Sequence, residues 1–393
     1  MKLMSVVMLS LVSSVGVATF TAQAHSLEIN RIHEMPNEFA SFHSVAQNKR
    51  EIAQALANEY LNMGDALQYQ INEYQLSIDL DELAGISLST QSNINQHNIQ
   101  IKQLKGISSH QKNSEQSIIK LRLADESMLA RLHAGEAPLF SYASGDEEEG
   151  NVEAFDTDGG IQYLDAYRLP TQPVFIVELD KAETMKEGIK AMNEVFDSAD
   201  KEVVNLLLNQ PFFVAPEPMS MTVIKNIKLK DIKESWISGP AEVYAIISGV
   251  SAASAELTPK IEVVELPYLD HAKKEYTPNQ IIVQWDHYRW QAVDILLMES
   301  DDNMNYKVLA TALLDVATQV LQLIPEAGTQ SAAVITRLTN AIIQAMPDSW
   351  TTNEDDYLDV FYTILENQTY SEYHGASDNA KITLEPLVIQ PRH

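Results

Sequence analysis

Apolar positions between residues 37 and 132 recur at helical spacing within a polar background. Ile52, Leu56, Tyr60 and Met63 share one helical face, with Gln, Asn, Lys and Glu between them for solvent. From Thr90 to Lys112 a thinner stripe of Ile94, Ile101 and Leu104 predicts a helix laid on a neighbour, because the heptads are not sustained. Residues 118–132 read as more of the same, stopping near Gly135. The period changes at Pro138. Short runs at 139–142, 152–155, 161–169 and 174–179 predict a small antiparallel sheet. The Asp156-Thr157-Asp158-Gly159-Gly160 link is a hairpin signal, since Asp-Gly and Gly-Gly tolerate the positive φ of tight turns. Two helices are expected at 182–196 and 199–209. Pro211, Pro216 and Pro218 then mark a boundary.

Beyond residue 219 the pattern is strand after strand, at 222–229, 242–249, 261–266, 280–285 and 292–298. It then returns to helical spacing. Leu309, Leu313, Val316, Val320 and Ile324 mark one amphipathic helix, and Val334, Leu338, Ile342 and Ala345 a second. Strands at 357–365 and 380–384 close the chain. The fold class expected is α+β. An N-terminal helical region with a small antiparallel sheet occupies 25–215. An antiparallel, C2-like β-sandwich occupies 216–393, with a helical hairpin inserted at about 307–346.

Residues 1–24 read as a secretory signal peptide. Lys2 is followed by an apolar stretch from Val6 to Phe20 and by the small-x-small pattern Ala22-Gln23-Ala24. A periplasmic or extracellular protein beginning at His25 is therefore expected, with no membrane span in the mature chain. There is no cysteine, so disulfides, thiol chemistry and Cys-based metal sites are excluded. The net charge of −28 repels phosphate backbones, which argues against nucleic acid as a partner.

Part of that acid excess is concentrated. Residues 285–393 carry 16 Asp or Glu against 5 Lys or Arg. Two acidic stretches flank the predicted helical hairpin. One contains Glu299, Asp301, Asp302 and Asn303; the other contains Asp355, Asp356 and Asp359. Ca²⁺ takes six to eight oxygen ligands, and neighbouring carboxylates on strand-end loops supply them. If the stretches converge they hold calcium. The competing expectation is that they cap the next helix and solvate a strand edge.

Enzyme signatures are missing: no His-Glu-x-x-His, Gly-x-Ser-x-Gly or Gly-x-x-x-x-Gly-Lys. His287, beside Asp286 and between Trp285 and Tyr288, reads as a turn residue rather than a catalytic base. His374 reads as part of an exposed aromatic loop with Tyr370 and Tyr373. Trp285, Tyr288, Trp290, Trp350 and Tyr357 leave a protein or carbohydrate partner open.

Several stretches resemble an uncharacterised family of exported gammaproteobacterial proteins, a domain of unknown function. They include Leu123-Ala124-Asp125-Glu126-Ser127-Met128-Leu129, Pro173-Val174-Phe175-Ile176-Val177, Pro278-Asn279-Gln280-Ile281-Ile282 and Ala345-Met346-Pro347-Asp348. The resemblance implies export and a shared fold, and carries no activity. Asp355-Asp356-Tyr357-Leu358-Asp359 is similar to the calcium loops of C2-like sandwiches, although two helices intervene here. The function expected is a non-enzymatic binding or structural protein with a calcium-stabilised sandwich. The alternative is a secreted carboxylate- or metal-dependent hydrolase.

Overall fold

The computed structural model describes residues 44–107, 117–144, 150–204, 217–232, 236–239, 241–253, 256–300, 302–324, 331–346 and 357–391. The expected signal segment lies outside them.

Helix α1 (Val45–Gln70) starts where Ser44 accepts a hydrogen bond from the Gln47 amide, satisfying one orphan N–H of the first turn. Its predicted face is the buried one, with Ile52, Leu56 and Met63 wholly inside. Helix α2 (Leu88–Leu104) is capped by Ser87 in the same way and packs against α1.

The first sheet has six strands: β1 (Ser77–Asp79), β2 (Ile119–Leu123), β3 (Leu139–Tyr142), β4 (Asn151–Phe155), β5 (Ile161–Asp165) and β6 (Val174–Leu179). Their order is β1-β2-β6-β3-β4-β5. Two expectations are corrected here. The sheet is mixed, because β3 runs parallel to β6. Residues 118–132 are also not one helix. Ile119, Leu121 and Leu123 alternate with Lys120 and Arg122 on a strand, and α3 (Leu129–His133) follows after a short 3-10 turn. Pairing with β6 in the middle of the sheet outweighs any weak helical stripe. The β4–β5 hairpin turns on Asp156, whose Oδ1 accepts from the Asp158 and Gly160 amides. The helix expected at 182–196 runs on without a break as α4 (Lys181–Val204), begun by Asp180, and takes in the described start of the second expected helix; residues 205–209 lie outside the described residues.

The C-terminal strands are β7 (Met219–Leu229), β8 (Val243–Val250), β9 (Pro259–Glu265), β10 (Glu275–Tyr276), β11 (Gln280–Gln284), β12 (Ala292–Glu299), β13 (Tyr357–Leu365), β14 (Tyr370–His374) and β15 (Ala380–Ile389). One sheet is ordered β10-β7-β15-β14, with β11 also on β7; the other is β13-β12-β8-β9. They pack face to face through Ile224, Ile247, Ile295, Phe361 and Leu384. The hairpin of α5 (Tyr306–Gln322) and α6 (Ser331–Ala345) sits between β12 and β13 in sequence, as predicted. It covers the far face of the four-stranded sheet together with α4. Both faces of β8 and β12 are therefore covered, and all eight residues of each are buried. Strand β14 replaces the expected aromatic loop. Its Tyr370 and Tyr373 hydroxyls donate to the Thr363 and Tyr362 carbonyls on β13. No helix among the described residues is long and apolar enough to cross a membrane.

Candidate functional site

The described parts of the two acidic stretches meet neighbouring strands of one sheet, Glu299 closing β12 and Asp359 lying on β13, where Met298 pairs with Tyr357 and Leu297 with Asp359. Their described carboxylates nevertheless act on opposite faces of it. Asp302 turns towards the helical side and forms an ion pair with Lys49 of α1, which is 0% exposed. Lys105, at the end of α2 and 1% exposed, donates to the Asp302 carbonyl at 3.0 Å and lies over the Tyr306 ring. Burial opposes ionisation of Asp302, yet the charges of Lys49 and Lys105 prevail and bring its carboxyl down to about 2. Asn305 caps α5 by accepting from the Val308 amide, and its Nδ2 donates to the Leu104 carbonyl. The loop is thus sewn to the end of α2.

Asp359 turns the other way, into the β14–β15 turn. Its Oδ1 accepts from the Val360 and Ser377 amides at 2.8 and 2.9 Å. Its Oδ2 accepts from the Asn379 and Ala380 amides at 2.9 and 2.7 Å. Gly375 is required beside it, since a Cβ there would stand 2.2 Å from the Asp359 carboxyl carbon. Glu299 is buried at the end of β12 and Asn303 is exposed. Asp301, Asp355 and Asp356 lie outside the described residues. Among the described residues no group of three or more His, Asp or Glu could hold a metal ion.

The better-formed chemistry is at the open edge of the sandwich, where β9 of one sheet overlies β11 of the other and α4 runs alongside. A 3-10 turn, Trp285–His287, carries the chain from β11 to β12. It is rigid. Trp285 Nε1 donates to Thr222 on β7, the His287 carbonyl accepts from Ala252, and the Tyr288 ring lies where a Cβ on Gly249 would be. His287 is therefore a turn residue, as its sequence predicted, and it is also held. Its Nδ1 donates to Glu262 on β9 at 2.5 Å, and Tyr288 donates to the other Glu262 oxygen at 2.9 Å. Lys260 stands 3.8 Å from the same carboxylate. The Glu262 hydrogen bond, outweighing burial, raises the His287 pKa above the ordinary imidazole value. Glu262 is partly buried, but its bonds from His287 and Tyr288 keep its own pKa below the usual range.

His287 opens onto a cleft of about 350 Å³. Ile261, Ile281 and Phe196 supply apolar wall, while Asn193, Asp197 and Gln284 supply polar groups. The His287 Nε2 is 3.9 Å from Asp286 Oδ1, beyond hydrogen-bond distance, and the side chain is 36% exposed. Sequence reasoning missed the pairing because Glu262 lies on a different strand of the other sheet. Only alternation along β9, which points Glu262 away from the buried Ile261 and Val263, hinted at it.

Fold and site together define an α+β protein with a helix-covered β-sandwich and an imidazole–carboxylate pair at its open edge. The chain belongs to the family described as protein of unknown function (DUF3103), whose model matches residues 49–392. No curated protein matches the chain, and no solved structure does.

Proposed function

We propose that this is an exported binding protein that takes a small polar ligand into the cleft along β9, with His287 as the proton donor. One observation carries the reading: an imidazole held on Nδ1 by a carboxylate, in the wall of a concave, part-apolar cleft. Glu262 fixes the ring and offsets its charge, so Nε2–H is oriented before any ligand arrives. The raised His287 pKa, caused first by its hydrogen bond to Glu262, accompanies that geometry, and perturbed titratable groups in clefts gather at functional sites. Export rests on the residue pattern of 1–24.

The test is a thermal-shift screen of small polar metabolites with wild type and His287→Ala. Ligands that raise the wild-type melting temperature should lose that effect in the variant, with about tenfold or greater weakening of binding, the equivalent of one charge-assisted hydrogen bond. Equal shifts in both proteins would put the ligand elsewhere. Turnover of a hit, lost in His287→Ala, would convert the reading into a hydrolase in which His287 does acid–base work.

A second reading is favoured by the adjacent ends of β12 and β13. Calcium is proposed for the two acidic stretches on their residue pattern; of their described members Asp302 is paired with Lys49 and Asp359 accepts four backbone amides, and Asp301, Asp355 and Asp356 lie outside the described residues. The expected sign is a rise in melting temperature with millimolar calcium that EGTA reverses, about 2.7 kcal/mol at a hundred times the dissociation constant. No rise removes the cation.

A further inference from the structure

Beneath α6 lies a polar cluster that the cleft does not use. Asp294, in the middle of β12, is 0% exposed. It stands opposite Ser248 of β8 in the strand register. Its Oδ1 accepts from the Thr363 amide at 2.6 Å, where β13 is bulged and Thr363 has φ 58°. Its Oδ2 is buried and has no hydrogen bond of ordinary geometry. Above it, Thr339 of α6, also 0% exposed, is hydrogen-bonded to Ser248 at 2.6 Å between the hydroxyls. One carboxyl oxygen is therefore buried where helix meets sheet with no well-formed hydrogen bond, the nearby Thr339 hydroxyl being engaged with Ser248.

The surroundings offer no compensating cation among the described residues. From β8 comes Ser248, and from α6 come Thr339 and Asn340, the latter accepting from the Tyr362 hydroxyl at 2.6 Å. Arg337 of α6 is exposed. From β13 comes Tyr362, whose own pKa is raised by burial and then by the charges of Asp294 and Asp359. Burial pushes the Asp294 carboxyl up to about 6, against the pull of the Thr363 amide and the Thr339 hydroxyl.

We propose that Asp294 is a proton-operated latch for α6. When protonated, Oδ2–H becomes a donor to the Ser248–Thr339 hydroxyl pair, and the helix is held against β12 and β8. When the proton leaves, a charge is buried under the helix with no cation among the described residues beside it, answered only by the Thr363 amide and the Thr339 hydroxyl. Water reaches it only if α6 loosens, so the helix opens more often. The proton is the ligand, exchanged with solvent, and no other group changes covalently.

Hydrogen exchange at pH 5 and pH 8, corrected for the intrinsic rate, tests this with α1 as internal reference. In wild type the protection of α6 amides should fall about tenfold or more at the higher pH, while that of α1 stays constant. Asp294→Asn keeps the shape and removes the titration, so its α6 protection should be the same at both values. Unchanged wild-type protection, or the same fall in Asp294→Asn, would overturn the latch. The wild-type comparison decides the matter even if the variant fails to fold.

Discussion

Asp302→Ala is expected to destabilise the protein by about 3–5 kcal/mol, because it leaves the buried Lys49 ammonium without its counter-charge. Lys105 keeps its bond to the residue 302 carbonyl and its place over Tyr306, so the loss belongs mainly to Lys49. Chemical denaturation of wild type and variant measures it. The double change Lys49→Met with Asp302→Leu should recover more than half of the loss, since a buried ion pair can often be replaced by apolar side chains at little cost. No recovery would mean that the lysine is not the residue left stranded.

The same carboxyl gives a pH dependence whose sign is fixed. Its pKa falls from an ordinary 3.8 to about 2 on folding. Its stabilisation is therefore complete above about pH 3.8 and is lost as pH drops through 2, a contribution of about 2 kcal/mol. An acid titration should show that component in wild type and not in Asp302→Ala.

Asp359→Asn is expected to be nearly as damaging as Asp359→Ala, by about 3 kcal/mol or more. Each Asp359 oxygen accepts two backbone N–H groups. Whichever way an asparagine amide is turned, its NH₂ group meets two donors and leaves them unsatisfied. A structural role through shape alone would make Asn harmless, so calorimetry on the two variants separates the explanations. Both results also bear on the acidic stretches as a metal site. If each aspartate stabilises the apo protein by these amounts, its lone pairs are already committed.

Much of the architecture was legible along the chain. The apolar stripe of Ile52, Leu56 and Met63 named the buried face of α1, and the return to helical spacing at Leu309 placed α5 and α6 between β12 and β13. Asp156 to Gly160 named a hairpin. Those signals are local, since period and turn chemistry act over a few residues. The failures were non-local. Strand β2 is a strand because β6 lies beside it, and β14 because β15 does. Its side chains, Tyr-Ser-Glu-Tyr-His, carry no clear alternation.

The sites divide in the same way. Sequence alone determined that acids gather around the helical pair, that no cysteine chemistry exists and that His287 sits in a turn. Tertiary structure alone decided what those groups do. It sent Asp302 to Lys49 across 253 residues, Asp359 into a turn of the opposite sheet and Glu262 to His287 across the sandwich edge. It also buried Asp294 under a helix inserted far along the chain. The reason is physical. A carboxylate's charge is written in the sequence, but whether a lysine, an amide, an imidazole or a proton answers it depends on which strands and helices become neighbours.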